Sequence, residues 1–202
     1  MAISLYEEFF RIVAVLNKKR VPYAICGGMA VSLYTEPRAT KDIDILLCAK
    51  DLEPLRAAMA AVGYRQWAPP WTFRSSGLTL NRFLRFDGPE YLMIDVLVGS
   101  QPEYEKMVAN AIVEQTPQGP VRLVARTDLI TLKRARNSLL DQADIAALQN
   151  DPRGTNRSRS EQPPRFFPPD GALAPPTPVT RSPARRRPLA KKPKKAPRRP
   201  KK

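Results

Sequence analysis

Apolar residues Leu5, Phe9, Ile12, Val13 and Leu16 recur at helical spacing and predict an amphipathic helix over 3–19. Pro22 ends that pattern, and Tyr23-Ala24-Ile25-Cys26 reads as a short buried strand running into Gly27-Gly28. Ala30 to Tyr34 continues as helix, closed off by Pro37, and Ile43 to Cys48 is a strand that carries an acid, Asp44, in an apolar run. Asp51 stands at an N-cap position, with Pro54 in the first turn and Gly63 after the last turn of a helix over 52–62. Extended segments near 64–67, 72–76 and 79–86 follow, interrupted by Pro69-Pro70. Tyr91 to Val98 is a strong strand, and Glu103 to Ala111 favours helix. Pro117-Gln118-Gly119-Pro120 forms a turn between extended flanks at 112–115 and 121–124. A last helical region starts at Thr127 or Asp128, runs to about Leu148, and is bent or broken around 137–141. Strands alternating with helices predict an α/β (α+β) fold, a mixed β-sheet flanked by helices.

Past Asn150 the periodicity stops. Residues 151–202 hold 16 Lys+Arg against 3 Asp+Glu, and 13 of the 22 prolines, whereas residues 1–150 carry a net charge of only +2. The chain therefore divides into a nearly neutral globular domain, 1–150, and a basic Pro-rich tail, 151–202, too poor in apolar residues to offset the entropy of ordering and expected to be disordered. Its polycationic runs, Arg185-Arg186-Arg187 and Lys191-Lys192-Pro193-Lys194-Lys195, attract phosphate backbones through counterion release without sequence preference. A solubilising extension is the competing reading of the same composition.

Composition also removes chemistries. The chain has no histidine, which excludes His-based acid/base catalysis, Ser-His-Asp and Cys-His nucleophile pairs, and His-rich zinc sites. Cys26 and Cys48 lie in apolar strand-like runs and read as buried free thiols, in keeping with a reducing cytoplasm. Glu7 and Glu8 interrupt the N-terminal segment, so it is no signal peptide. No apolar run approaches the ~20 residues of a membrane span. The expectation is a soluble, cytoplasmic protein without membrane contact.

The chemistry concentrates in Asp42-Ile43-Asp44. Two carboxylates one residue apart on a strand share a face, and like charges side by side call for a cation between them. A hard divalent ion such as Mg²⁺ takes oxygen ligands of this kind, together with substrate phosphates. Upstream, Gly27 and Gly28 allow backbone N–H groups to approach an anion closely. A third acid, Asp95, sits amid the apolar run Tyr91 to Val98, where it needs a partner. In register beside Asp42 and Asp44 it would complete a three-carboxylate site able to hold two Mg²⁺ ions, and would be placed to take a proton from an acceptor hydroxyl. The plainer reading is that Asp95 ends a strand or pairs with an arginine. Trp67, Trp71 and Phe73 read as base-pocket or packing aromatics.

The ordered set Gly27-Gly28-Met29-Ala30, Arg38-Ala39-Thr40-Lys41-Asp42-Ile43-Asp44, then Asp95, then Asp128-Leu129-Ile130-Thr131-Leu132-Lys133 with Arg136, Asp141 and Asp144, resembles the minimal nucleotidyltransferases of the DNA polymerase β superfamily. Within it the chain looks most like the AbiEii-like branch, whose members include toxins of type IV toxin–antitoxin systems. The resemblance spans residues 20–148. It implies a minimal nucleotidyltransferase fold and Mg²⁺-dependent transfer of NMP from an NTP to an acceptor hydroxyl, such as an RNA or tRNA end. It further implies that Gly27 and Gly28 contact the triphosphate, that Asp42, Asp44 and Asp95 bind metal, and that Lys133 faces the phosphates. Arg38 and Lys41 flank the site, where they bind phosphate or RNA or are simply exposed charge. Many relatives carry Ser or Thr after the second glycine; Met29 stands there here, so backbone amides would have to make that contact. Asp141 and Asp144, three apart, share a helix face and pair with Arg136 or Arg134 or reach the site.

Two alternatives from other classes stand beside the enzyme. One is a catalytically weak relative serving as a binding module, with a cognate antitoxin as partner. The other is a nucleic-acid-binding protein acting through its basic tail. Retention of all three acids favours the transferase, because clustered acids cost stability without metal.

Overall fold

The computed structural model describes residues 4–36 and 38–150; Pro37 and the basic tail lie outside the described residues. Helix α1 (Leu5–Lys18) opens on Ser4, whose Oγ accepts from the Glu7 amide at 3.3 Å, with Glu7 and Glu8 in the first turn and Lys18 in the last. These charges complement the helix dipole. Next come β1 (Ala24–Ile25), α2 (Gly27–Tyr34), β2 (Asp42–Cys48), a 3₁₀ turn (Ala49–Asp51) and α3 (Leu52–Ala61). Short strands β3 (Arg65–Gln66) and β4 (Trp71–Thr72) precede the long hairpin β5 (Thr79–Asp87) and β6 (Glu90–Gly99). Then follow α4 (Pro102–Ala109), β7 (Ile112–Thr116), β8 (Gly119–Leu123), α5 (Arg126–Arg136) and α6 (Leu139–Asn150).

One mixed sheet runs β3-β5-β6-β2-β1-β8-β7, with β4 pairing β5. The β2–β6 and β1–β8 pairs are parallel and the others antiparallel. Strand alternation gives the sheet two apolar faces. Ile43, Ile45, Leu47, Ile94 and Val96 pack with Phe9, Ile12, Leu16, Leu55 and Met59 of α1 and α3. On the opposite face Leu46 and Cys48 meet Ala30, Val31, Met107 and Leu129 of α2, α4 and α5. Asp42 and Asp44, four and two residues before Leu46, project from this second face at the start of β2. Both cysteines are free and buried.

The structure adjusts four expectations. The glycine pair is not a turn ahead of a helix starting at Ala30: the helix starts at Gly27, whose φ of 60° lets the chain enter it directly from β1. Asp51 precedes α3, but its side chain makes no capping hydrogen bond. Extended structure over 72–76 shrinks to Trp71–Thr72 because residues 74–76 turn, Gly77 adopting a φ of 70°. The expected break in the last helical region falls at Asn137, left-handed at φ 52°, whose N–H reaches the Lys133 carbonyl at 2.8 Å.

Candidate active site

Parallel pairing of β2 and β6 places Asp44 directly opposite Asp95. Each of Asp42, Asp44 and Asp95 offers a carboxylate oxygen, and these atoms all lie within 4.8 Å of one another. Asp95 is buried and the other two are half-buried. The Asp44 carboxyl is pushed up from its ordinary 3.8 to about 7, first by burial, then by the charges of Asp42 and Asp95. Arg136 and the Gly28 N–H, which donates to the Asp44 carboxylate, partly oppose that rise.

The glycine turn is thus locked to the acids. A Cβ on Gly27 would fall inside the Asp44 carboxylate, so both the φ of 60° and the close approach require glycine there. A Cβ on Gly28 would come within 2.7 Å of Thr40 Oγ1 and 3.2 Å of Arg38 Nη2. Thr40 in turn donates to Asp42 Oδ1 at 3.0 Å. Met29 points away into the core and is fully buried, leaving backbone amides as the polar groups of that turn.

Charges ring the three carboxylates. Arg82, on the strand beyond Asp95, donates to it through Nε at 2.8 Å and Nη2 at 2.7 Å. Asp95 therefore both lies in the acid cluster and pairs with an arginine. On the other flank, Lys133 is buried, with Nζ 2.7 Å from Asp144 and 3.4 Å from Asp141. Arg136 binds Asp141 through two hydrogen bonds of 2.7 and 2.6 Å, and Arg38 reaches Asp144 at 2.9 Å. Lys133 thus stands in an ion-pair network joining α5, α6 and the segment before β2. Lys41 is exposed at the mouth of β2.

Arg82 was not marked by the sequence, although the β5–β6 hairpin puts it opposite Asp95. A polar residue at alternate positions of a strand otherwise reads as a solvated face, and only the register shows what it meets. Trp67 and Trp71 are 61% and 66% exposed, so neither belongs to the core, while Phe73 lines a cleft beside the acids.

Three oxygen donors so close together suit a hard divalent cation, which would relieve the repulsion that Arg82 leaves. With Arg82 counted, the cluster holds a net charge of −2, matched by one such ion.

No protein-family model matches the chain, and no curated protein matches it. Among solved structures, the Thermotoga maritima protein TM1012, assigned as a nucleotidyltransferase, is 11% identical over 72% of this chain and 92% of its own, with a TM-score of 0.51. ANT(2")-Ia in complex with adenylyl-2"-tobramycin is 19% identical over 70% and 86% of the two chains, at a TM-score of 0.45. The lincosamide antibiotic adenylyltransferase LnuA, bound to lincomycin, is 15% identical over 74% and 99%, at 0.46. At 11% identity the TM1012 likeness speaks to architecture alone, and on that architecture the chain has a nucleotidyltransferase fold.

Proposed function

We propose that the chain transfers NMP from an NTP to an acceptor hydroxyl, with Asp42, Asp44 and Asp95 holding Mg²⁺. The observation that carries this reading is the convergence of the three carboxylates on one sheet face, with Asp44 pushed to about 7 by burial and then by its two acidic neighbours. A scaffold with no cation to bind gains nothing from such repulsion. When bound, Mg²⁺ would supply Lewis-acid polarisation of the α-phosphate and neutralise charge developing on the leaving pyrophosphate; three ionised carboxylates with Arg82 carry a net −2, which suits one ion, and a second would be matched by the nucleotide's own phosphates.

The chain's residues do the rest. The first turn of α2 at Gly27 and Gly28 offers amides to an anion. The Gly28 N–H donates to the Asp44 carboxylate, which ties that turn to the acid cluster. Arg38, Lys133 and Arg136 outnumber the Asp141 and Asp144 carboxylates they bind, which leaves that flank one positive charge, and Lys41 can meet phosphate from solvent. The acceptor oxygen forms a bond to the α-phosphorus, the bond from that phosphorus to the bridging oxygen breaks, and pyrophosphate leaves. The hydroxyl proton passes to an Asp95 carboxylate oxygen, which Arg82 holds in position.

An RNA or tRNA end as acceptor and a cognate antitoxin as partner rest on the AbiEii-like motif order and on the tail at 151–202, outside the described residues. The reading is tested by incubating the full chain with Mg²⁺ and each α-phosphate-labelled NTP in the presence of total cellular RNA and a small-molecule extract. Label should move to an acceptor with the wild-type chain and not with Asp42→Asn; equal transfer by that variant would overturn the metal assignment.

A further inference from the structure

Beside the acid cluster, a cleft of about 680 Å³, counted with the solvent at its mouth, opens between the sheet, α5 and the turn at 73–78. Phe73, Leu78, Leu80, Leu97, Leu129 and Leu132 line it beside Asp44 and Asp95, and Gly27, Lys133, Arg136 and Asp141 line it as well. Leu80 and Leu97 face each other across the β5–β6 pair, two residues from Arg82 and Asp95 on the same face. Phe73, Leu80, Leu97 and Leu132 are only half-buried, so four large apolar side chains border open space next to the reacting centre. The turn is anchored over the cleft by Ser75 Oγ, which donates to the Ala135 carbonyl at 3.2 Å, and by Tyr104 Oη, which donates to the Ser76 carbonyl at 2.7 Å.

We propose that the apolar part of this cleft, along Leu80 and Leu97, binds the acceptor, and that the acceptor is a small, neutral, largely apolar molecule bearing the reactive hydroxyl. The inference rests on the nucleotidyl-transfer reading. Its first support is position. Sheet order puts the Gly27–Gly28 turn, next to β1, on one side of Asp44, and the leucine wall of β6 and β5 on the other. In-line displacement at phosphorus needs the attacking and leaving oxygens on opposite sides. With phosphates on the glycine flank, the attacking hydroxyl arrives from the apolar one, past Asp95.

The second support is charge. A polycationic acceptor would need acids besides those that hold metal, yet the further carboxylate lining the cleft, Asp141, is already bound by Lys133 and Arg136. A polynucleotide end would need cations, yet Lys133 and Arg136 are committed to Asp141 and Asp144, and Arg82 to Asp95. The serine hydroxyls are engaged as well: Ser75 donates to Ala135, and Ser76 Oγ accepts from the Leu78 N–H at 3.3 Å. What the walls offer is apolar surface.

The test uses 2-naphthylmethanol, a neutral apolar alcohol, as the probe. Its binding to the full chain is followed by fluorescence in the presence of Mn²⁺ and a non-hydrolysable ATP analogue, whose own affinity is measured separately. Leu97→Gln and Phe73→Ala, each checked for a wild-type-like melting transition, should weaken the alcohol at least tenfold and leave the ATP analogue within twofold. Labelled ATP should pass its NMP to the alcohol in preference to tobramycin or an RNA oligonucleotide. Weakened binding of the ATP analogue in those variants would assign the cleft to the nucleobase and overturn the inference. So would failure of the alcohol to bind, equal binding by all variants, or label reaching only RNA or tobramycin. If the ATP analogue fails to bind the wild type at all, the nucleotidyl-transfer reading itself falls, and with it the acceptor assignment; alcohol binding with no nucleotide binding marks that case apart.

Discussion

Arg82 grips both oxygens of Asp95, on a strand pair that sets the two residues directly opposite each other. The guanidinium acts as a resident cation at a cluster of three carboxylates. It offsets part of their repulsion and leaves a charge deficit that one divalent ion would fill.

Replacing Arg82 with Gln should therefore destabilise the metal-free protein, because Asp95 is buried and would keep two like-charged neighbours. The loss should be about 1–3 kcal/mol, the scale of a buried polar group left without its partner. Saturating Mn²⁺ should recover much of it, so the rise in melting temperature on adding metal should be larger for the variant than for the wild type. Equal metal-induced shifts would mean that Arg82 does not balance the cluster.

Two carboxylates give the metal-free protein opposite responses to pH. Asp44, raised from 3.8 to about 7, binds its proton more tightly folded than unfolded. Stability is then highest below the unfolded value and falls as pH rises from about 4 to 7, by up to roughly 4 kcal/mol if the whole shift is expressed. Asp141 is held well below the carboxylate range: burial pulls it up, but hydrogen bonds from Arg136 and Ser138 outweigh that. Its contribution is present above the unfolded value and is lost as pH falls below about 4. Urea melts across pH should peak between about 4 and 5 without metal. Asp44→Asn should flatten the neutral limb, as should Mg²⁺ on the wild type; a limb that neither changes would remove Asp44 as its source.

Gly27→Ala tests the lock between turn and acid. A left-handed φ costs a non-glycine residue about 1–2 kcal/mol, and the new methyl would displace the Asp44 carboxylate. Mn²⁺ affinity, read by electron paramagnetic resonance, should drop at least tenfold while circular dichroism keeps its wild-type form. Unchanged metal affinity would show that Asp44 can bind metal from a different position.

Much of this was legible in the sequence because the strongest signals are local. Helical spacing in α1, the apolar run of β2 and the break near Asn137 need only neighbours along the chain. Asp42 and Asp44 were legible as a pair because strand alternation alone puts them on one face. Asp95 was legible as an anomaly, an acid in an apolar run, and its place beside Asp44 only on condition of a register that the β2–β6 pairing supplies. The Arg82 contact, the burial of Lys133 between two helix acids and the reach of Arg38 to Asp144, 106 residues away, depend on register and helix docking. Those are tertiary facts with no counterpart in local pattern. The start of α2 at Gly27 was hidden for a related reason: a positive φ there lets glycine serve as both turn and first helical residue.

Lys133 carries two roles that its variants can separate. Its ammonium sits between Asp141 and Asp144, which retain Arg136 and Arg38 if it is removed. Asp144, by contrast, is the common partner of Lys133 and Arg38, and its loss leaves a buried ammonium with only a 3.4 Å contact to Asp141. Asp144→Asn should cost about 3–5 kcal/mol, as expected for a buried ion pair broken from one side, whereas Lys133→Met, of similar shape and without charge, should cost less than about 2 kcal/mol. Urea denaturation ranks the two. If Lys133 also meets the triphosphate, Lys133→Met should weaken an NTP analogue at least fivefold despite its milder effect on stability. A folded Lys133→Met protein with wild-type nucleotide affinity would confine that lysine to joining α5 with α6.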